Sequence, residues 1–150
     1  MSEITEGQKA PAITGVDQHG KTVSLEEYKG KKVILYFYPK DSTPGCTAEA
    51  CNLRDNYDDL RSKGYDVIGV SPDSEKSHLK FIDKYQLPFR LIADTETKLA
   101  EAYGVWGLKK FMGKEYMGII RTSFVIDEKG VIEKVINKVD TKNHAAQIVL

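Results

Sequence analysis

Cys46 and Cys51 are the two cysteines of this sequence, and they lie only five positions apart. The pattern around Cys46 predicts that it lies in the first turn of a helix that leaves the C-terminal end of a central strand. Such a position favours a thiolate, because the helix end carries about half a positive charge and its first N–H groups lack partners within the helix. The hydroxyl of Thr43 can donate a further hydrogen bond to the sulfur. Since the thiolate is the reactive form of cysteine, Cys46 is predicted to be a nucleophile.

Ionisation by itself cannot account for catalysis by such a thiol. A free thiol is already about 3% thiolate at pH 7, so complete ionisation gains only about 30-fold. Enzymes commonly accelerate reactions by about 10⁶-fold or more, and the remainder must come from positioning and from charges directed at the transition state. Arg121 is the candidate for the required cation. It is the one charged residue in the apolar run 119–126, and a buried arginine needs an anionic partner.

The sequence does not favour a structural disulfide or a metal site. A crosslink that closes so short a loop would add little stability. The three histidines, His19, His78 and His144, are scattered along the chain, and neither a CxxC nor an HxxxH spacing occurs. We therefore expect chemistry that uses no metal and no cofactor.

The composition is that of a globular protein and argues against several functional classes. A chain of 150 residues buries roughly 70% of its unfolded surface. The 22 basic and 22 acidic residues cancel, which argues against a nucleic-acid or acidic-membrane partner. No apolar run approaches the roughly 20 residues that span a bilayer, and the N-terminal segment lacks the apolar stretch of a secretory signal. We therefore expect a cytoplasmic protein whose cysteines are reduced.

Hydrophobic spacing and turn residues predict the elements that position these side chains. The helix that carries Cys46 has Thr43 as its N-cap, Pro44 as its first residue and Gly64 just beyond its end. One apolar stripe is predicted along this helix, formed by Cys46, Ala50, Leu53, Tyr57 and Leu60. The predicted strands are 12–17, 22–25, 32–38, 66–71, 89–93, 119–126 and 131–136. The predicted helices are a short one between Ser24 and Gly30, then 44–63, 75–86, 95–103 and a last one capped by Asp140 or Thr141. Residues 105–118 are expected to form a loop.

This order predicts an α/β fold with a mixed central sheet flanked by helices. A parallel βαβ start and a finish of β-hairpin plus helix are typical of the thioredoxin-like fold. The dense apolar run 32–38 is expected to be a central strand covered on both faces. The strand pair 12–17 and 22–25 would be an N-terminal β-hairpin extension. Residues 1–150 are expected to form one such domain.

Several motifs together resemble the peroxiredoxin family. Pro39-x-x-x-Thr43-x-x-Cys46 resembles the active-site motif of that family, and the spacing to Cys51 resembles the peroxiredoxin Q, or bacterioferritin comigratory protein, subfamily. The resemblance covers nearly the whole chain and includes the segments 37–40, 43–47, 104–107 and 121–127. It implies that Cys46 is the peroxidatic cysteine and Cys51 the resolving one. It also implies that Thr43 and Arg121 hold the thiolate and polarise the peroxide O–O bond, and that Pro39 shields the pocket.

The resemblance leads to the hypothesis of a thiol peroxidase. In this hypothesis Cys46 reduces hydrogen peroxide or an alkyl hydroperoxide, becomes a sulfenic acid and then forms a disulfide with Cys51. The implied reductant is thioredoxin, and the subfamily implies a monomer. Two alternatives use the same cysteines: a general thiol–disulfide oxidoreductase, although CxxC is absent, and a non-catalytic redox sensor. Sustained turnover that requires both peroxide and a dithiol reductant distinguishes the peroxidase from both.

Three further residues have both a structural and a functional interpretation. Glu49 is either an ordinary helix-surface carboxylate or the partner of an arginine. Trp106 is expected to pack rather than to react. His78, on an apolar helix face, is expected to be a core or boundary residue whose hydrogen bonds are satisfied.

Overall fold

The computed structural model describes residues 4–149, which alternate between strands and helices. The strands are β1 (Lys32–Phe37), β2 (Tyr65–Ser71), β3 (Arg90–Ala93), β4 (Trp106–Phe111), β5 (Lys114–Ile119), β6 (Thr122–Ile126) and β7 (Ile132–Ile136). The α-helices are α1 (Pro44–Asp55), α2 (Tyr57–Ser62), α3 (Glu75–Tyr85), α4 (Lys98–Ala102) and α5 (His144–Val149), and a 3₁₀ helix covers Leu25–Tyr28. No helix within residues 4–149 is both long enough and apolar enough to cross a membrane.

The central sheet has five strands in the order β3-β2-β1-β6-β7. Strands β1, β2 and β3 pair in parallel, whereas β6 pairs antiparallel with both β1 and β7. The parallel half is connected through α1 and α3, and the antiparallel half is a hairpin followed by α5. This topology confirms the predicted mixed sheet and thioredoxin-like arrangement.

Strand β1 is buried on both faces, as its continuous apolar sequence predicts. Val33, Leu35 and Phe37 contribute to one core, beneath the N-terminal segment and α4. Ile34 and Tyr36 point to the opposite face, where they join a second core formed with α1, α3 and α5. Alternate residues of a strand point to opposite faces, so one strand supplies both cores. The carboxyl end of β1 therefore lies deep in the molecule, and α1 starts from there.

Helix α1 begins at the predicted place. Thr43 is its N-cap residue and Pro44 is its first helical residue, where proline costs nothing because that N–H has no helical partner. The prediction of one continuous helix over 44–63 is wrong, since Asn56 separates α1 from α2. The side-chain amide of Asn56 donates to the Asn52 carbonyl at 2.8 Å. A side-chain donor that competes for a helical carbonyl in this way is a common cause of such a break.

The loop predicted over 105–118 is instead a β-hairpin of β4 and β5. Its two-residue turn consists of Met112 and Gly113, both with positive φ (52° and 80°). Paired positive φ values are typical of tight hairpin turns. Methionine is an unusual residue for that conformation, so the sequence pattern does not predict the turn. The predicted strand 119–126 is correspondingly interrupted, because β5 ends at Ile119 and β6 begins at Thr122.

The two ends of the chain also differ in detail from expectation. The predicted N-terminal hairpin has its turn at Asp17–Gly20, but its strands share a single bridge between Val16 and Thr22. The last helix begins at His144 rather than directly after Asp140. The Asp140 carboxylate instead accepts from the backbone N–H of Lys142 at 3.1 Å and closes the preceding turn.

Candidate active site

The Cys46 side chain is buried in the first turn of α1, with 1% of its surface exposed. It packs with Ala50 and Leu53 of the same helix into the core against β1. The predicted stripe along this helix face is therefore present, and Cys46 stands at its N-terminal end. The positive end of the helix dipole favours an anionic sulfur at that place.

Arg121 lies over the sulfur, although it is 75 positions away in the chain. Its Nη2 donates to Cys46 Sγ at 3.2 Å, and its Nη1 donates to Glu49 Oε1 at 2.6 Å. A side chain on Gly45 would bring a Cβ within 3.3 Å of Nη2, so glycine leaves room for the guanidinium. Arg121 belongs to the link between β5 and β6 rather than to the interior of a strand. From this link its side chain contacts both Cys46 and Glu49 of α1.

The electrostatics of Arg121 reflect its two partners. Burial by itself would lower the pKa of Arg121, but the Cys46 sulfur and the Glu49 carboxylate outweigh burial and hold the pKa above its ordinary value. The guanidinium is therefore a permanent cation. It supplies the charge that the reaction was predicted to need.

Glu49 is completely buried, with no exposed surface. Burial raises the pKa of Glu49 from 4.5 to about 7, and the charge and hydrogen bond of Arg121 offset only part of this rise. Its Oε2 atom has no hydrogen-bond partner among residues 4–149, so half of the carboxylate lacks the donors that would stabilise an ionised form. Of the two interpretations of Glu49, the structure therefore shows the partner of an arginine and not a helix-surface carboxylate.

The environment of Oε2 explains why it lacks a donor. His144 Nε2 is 3.5 Å away. The Gln147 amide is oriented by the Asp140 N–H and the Lys138 carbonyl, so its Oε1 atom accepts a hydrogen bond from His144 Nδ1 at 2.8 Å. Burial lowers the pKa of His144, so the ring is neutral, and Nε2 accepts from the Ser123 hydroxyl at 2.6 Å. The single lone pair of Nε2 is thus occupied by Ser123 and the ring offers no proton to Oε2, which further favours the protonated carboxyl.

Lys109 is a second cation near the sulfur. Burial and the charge of Arg121 lower the pKa of Lys109, and the Cys46 sulfur acts in the opposite direction. Its Nζ donates to the Ile119 carbonyl at 2.9 Å. Gly118 lies beside the side-chain stem of Lys109, where a Cβ would come within 3.1 Å of Cδ. Strand β4 thus adds positive potential to the pocket.

Thr43 and Pro39 lie on the link between β1 and α1. The expectation that the Thr43 hydroxyl donates to the sulfur is not met, since Thr43 Oγ1 donates to the Lys40 carbonyl at 2.8 Å and makes no capping hydrogen bond to α1. That bond uses the hydroxyl proton within the loop and leaves the oxygen as an acceptor. Pro39 is half-buried.

Cys51 is half-buried, and both cysteines are free thiols. It lies on α1, the same regular helix as Cys46. Five residues of an α-helix separate two Cα atoms by about 7.5 Å along the axis and about 140° around it, or about 8–9 Å in total. A disulfide requires Cα atoms within about 7 Å and converging Cβ vectors. The two sulfurs therefore cannot bond while α1 is intact.

Within residues 4–149, the side chains of Asp41, Asp73 and His78 form one group whose oxygen and nitrogen atoms lie within 4.8 Å of one another. These atoms accept and donate hydrogen bonds among themselves and with neighbouring hydroxyl groups. His78 is fully buried and its ring atoms are hydrogen-bonded, as its place on an apolar helix face predicts. Trp106 packs against the first core, also as expected.

Sequence reasoning missed Gly45, Lys109 and His144 as parts of the site. Gly45 follows the helix-start proline, where a residue without a side chain is a weak signal of close approach. Lys109 was assigned to a loop, and the orientation of its side chain was therefore unknown. His144 lies next to Ala145 in a short apolar helix, and its isolation among small residues was the only signal available.

A cysteine at a helix start on a thioredoxin-like sheet, with an arginine on its sulfur, agrees with the resemblance of the sequence to the peroxiredoxins. The chain belongs to the AhpC/TSA family, whose sequence pattern matches residues 6–135. It is 54% identical over 144 residues to peroxiredoxin Bcp of Bacillus subtilis, an alignment that covers 96% of this chain and 92% of the relative.

Solved structures agree with this assignment. A cysteine-to-serine mutant of Xylella fastidiosa PrxQ superimposes with a TM-score of 0.91 at 28% identity, covering 99% of this chain and 94% of that one. The bacterioferritin comigratory protein of Xanthomonas campestris, described with its alkyl peroxide reduction activity, superimposes with a TM-score of 0.84 at 32% identity, covering 91% and 87%. Both the fold and the subfamily resemblance of the sequence are thereby confirmed.

Proposed function

We propose that this protein reduces hydrogen peroxide and alkyl hydroperoxides with Cys46 as the peroxidatic cysteine. The observation that carries the proposal is the hydrogen bond of 3.2 Å from Arg121 Nη2 to Cys46 Sγ, at the positive end of a helix. The alkyl peroxide reduction described for the Xanthomonas relative supports the organic substrate class.

In the first step the Cys46 thiolate attacks the terminal oxygen of the hydroperoxide. An S–O bond forms, the O–O bond breaks, and the sulfur becomes a sulfenic acid. The leaving hydroxide or alkoxide takes up one proton, which balances the proton lost earlier by the thiol. Arg121 lies where its N–H groups can stabilise both the attacking sulfur and the negative charge that develops on the peroxide oxygens.

Thr43 and Pro39 complete the pocket in this proposal. Because the Thr43 hydroxyl donates to the Lys40 carbonyl, its oxygen is oriented to accept a hydrogen bond from the peroxide O–H. Pro39 has no N–H and covers the pocket with an apolar ring, which excludes water from the thiolate. Both residues hold the peroxide for attack along the O–O axis.

In the second step Cys51 is the resolving cysteine. Its thiolate attacks the sulfenic sulfur, an S–S bond forms, the S–O bond breaks, and the oxygen leaves as water after protonation. A dithiol protein then reduces the disulfide by thiol–disulfide exchange. We propose thioredoxin for this role, a choice that rests on the subfamily.

The setting of the reaction follows from its thiol chemistry. Both cysteines must be reduced at rest, which supports a cytoplasmic location. They lie on one helix, so the disulfide needs no second chain, and we propose a monomer built as a single thioredoxin-like domain over residues 1–150. The reaction as written uses no cofactor.

A coupled assay tests the proposal. The protein is incubated with thioredoxin, thioredoxin reductase and NADPH, and NADPH oxidation is followed with hydrogen peroxide or an alkyl hydroperoxide. We expect steady oxidation that requires both peroxide and thioredoxin, and its loss in Cys46→Ser, which is nearly isosteric. Steady oxidation when a disulfide substrate replaces the peroxide would instead identify a general thiol–disulfide oxidoreductase. A single oxidation without turnover would identify a redox sensor.

A further inference from the structure

A buried acid–base pair lies beneath the loop that links β1 to α1, and the reaction described above does not use it. The side chains of Asp41 and His78 are 3% and 0% exposed, and Asp41 Oδ2 lies 2.7 Å from His78 Nδ1. Asp41 belongs to the loop 38–43, which also carries Pro39 and Thr43. His78 belongs to α3.

The hydrogen-bond pattern determines how many protons this pair holds. His78 Nε2 is 2.9 Å from the Ile92 carbonyl oxygen, and a carbonyl oxygen can only accept, so Nε2 carries a proton. The second ring nitrogen, Nδ1, faces a carboxylate oxygen. With no proton between them, two lone pairs would meet at 2.7 Å in a buried site. One proton must therefore lie between Asp41 and His78, either on the ring or on the carboxyl group.

The rest of the network accommodates either location of that proton. The Tyr38 hydroxyl donates to Asp41 Oδ1 at 2.5 Å, and the Ser77 hydroxyl donates to Oδ2 at 2.8 Å. The Asp41 N–H donates to Asp73 Oδ2 at 2.8 Å. Asp41 is thus held by Tyr38 within its own loop, and from outside by α3 and by the loop after β2. The contacts with these two other segments fix the position of the loop 38–43.

The next residue shows what these contacts hold in place. Ser42 has a φ of 62°, a left-handed conformation that costs a residue with a side chain about 1 kcal/mol or more. Such strain persists only where surrounding contacts over-determine the backbone. Asp41 supplies those contacts on one side of Ser42, and on the other side Thr43 begins α1. The strained residue therefore connects the anchor directly to the helix that presents Cys46.

We propose that Asp41 and His78 share one proton and act as a positioning pair that holds the loop 38–43, and with it the first turn of α1, in the peroxide-reactive conformation. The proposal rests on the proposed role of Cys46. It assigns the pair to positioning only, since neither side chain reaches the sulfur. The same anchor opposes the unwinding that disulfide formation requires, so loss of the anchor should affect the two chemical steps in opposite directions.

The asparagine variant separates the shared proton from simple occupation of space. In Asp41→Asn the amide N–H can donate to a neutral His78 Nδ1, while the amide oxygen accepts from Tyr38, so the anchor persists without the extra proton. Asp41→Ala removes the anchor. Asp83→Ala, which removes an exposed carboxylate from the same helix α3, is the matched control.

Single-turnover kinetics provide the functional readout. The reduced protein is mixed with hydrogen peroxide in a stopped-flow instrument, and sulfenic acid formation and disulfide formation are followed as separate phases. We expect Asp41→Ala and His78→Ala to slow the first phase by about 10- to 100-fold, the equivalent of one buried charge-assisted hydrogen bond, and to accelerate the second. Asp41→Asn and Asp83→Ala should remain within about threefold of wild type in both phases.

Nuclear magnetic resonance of the histidine ring tests the shared proton in the wild-type protein itself, without any variant. We expect a slowly exchanging, strongly downfield proton between His78 and Asp41, in addition to the Nε2 proton. In Asp41→Asn the Nδ1 nitrogen should have the shift of an unprotonated acceptor.

Three results would each overturn the positioning pair while leaving the peroxidase intact. The first is a His78 ring with a single proton and none shared with Asp41, and the second is equal rates in wild type, Asp41→Ala and His78→Ala. The third is equal impairment of Asp41→Asn and Asp41→Ala. If wild type does not react with peroxide, or Cys46→Ser reacts equally fast, the proposed function fails instead.

Discussion

Replacement of Glu49 by glutamine should make the folded protein more stable at neutral and alkaline pH, although it removes one partner of an ion pair. The carboxyl group has a pKa of about 7 in the fold, compared with its ordinary 4.5. The folded state therefore binds more protons than the unfolded state between these two values. Stability contributed by this group is consequently present below pH 4.5 and is lost as the pH rises through 7.

The size of the effect follows from the same two values. Each unit of pKa difference corresponds to about 1.4 kcal/mol, so ionised Glu49 costs the fold about 3 kcal/mol at pH 8, in the absence of relaxation. Glutamine keeps the shape and still accepts from Arg121 through its amide oxygen. Its amide nitrogen takes the place of the glutamate Oε2. The variant therefore avoids the cost of an ionised group.

The assay is urea unfolding of the reduced proteins at intervals from pH 4.5 to pH 8. The free energy of unfolding of Glu49→Gln relative to wild type should rise with pH by about 3 kcal/mol. The pKa of His144 is lowered in the fold, so its contribution to stability is lost on acidification, which is the opposite direction. This contribution is the same in both proteins and cancels in the difference. Glu128→Gln, at an exposed position, should give a flat difference. A difference for Glu49→Gln that is flat, or that falls with pH, would refute the reasoning.

The cysteines and Arg121 lead to three further predictions. Cys51→Ser should react once with peroxide and then stop, so mass spectrometry after one equivalent should find one added oxygen, whereas continued turnover with thioredoxin would remove Cys51 from the resolving role. Arg121→Ala should slow the peroxide step by about 10²–10³-fold. Arg121→Lys should also be impaired, because a single ammonium cannot contact both Cys46 and Glu49 as the planar guanidinium does. A wild-type rate in stopped flow for either variant would show that Arg121 has only a structural role. Oxidation should unwind α1 as far as Cys51, because the disulfide cannot form on an intact helix. About a fifth of the α-helical residues and of the corresponding far-ultraviolet circular dichroism signal should be lost, and amides 46–55 should exchange faster. An unchanged spectrum in the disulfide form would contradict this prediction.

Much of the fold could be predicted because its signals are local. The central strand is recognisable from a run of apolar residues without polar alternation, and the start of α1 from Thr43 and Pro44. The apolar stripe from Cys46 to Leu60 indicates which helix face is buried. Each of these patterns depends on backbone geometry within one element, and the sequence states it directly. The helix position of Cys46 required nothing more.

The hairpin of β4 and β5 could not be predicted from such local signals. Its exposed apolar residues, among them Leu108, Phe111 and Met117, do not alternate with polar ones in the manner of a half-buried strand. Its turn places a methionine at positive φ, where sequence patterns lead one to expect asparagine or glycine. Pairing between the two strands decides this structure, and pairing is not visible in either strand alone.

The chemistry of the site is likewise divided between sequence and tertiary structure. The sequence by itself determined that Cys46 would be a thiol at a helix start, that Cys51 would be near it, and that a cation was needed. Only the tertiary structure decided that Arg121 reaches the sulfur, that Glu49 is buried between Arg121 and His144, and that the Thr43 hydroxyl donates within its loop instead of to the sulfur. The reason is that hydrogen-bond partners and desolvation depend on which distant segments pack together. A local pattern specifies the backbone position of a side chain, whereas the charge state of that side chain depends on everything that surrounds it.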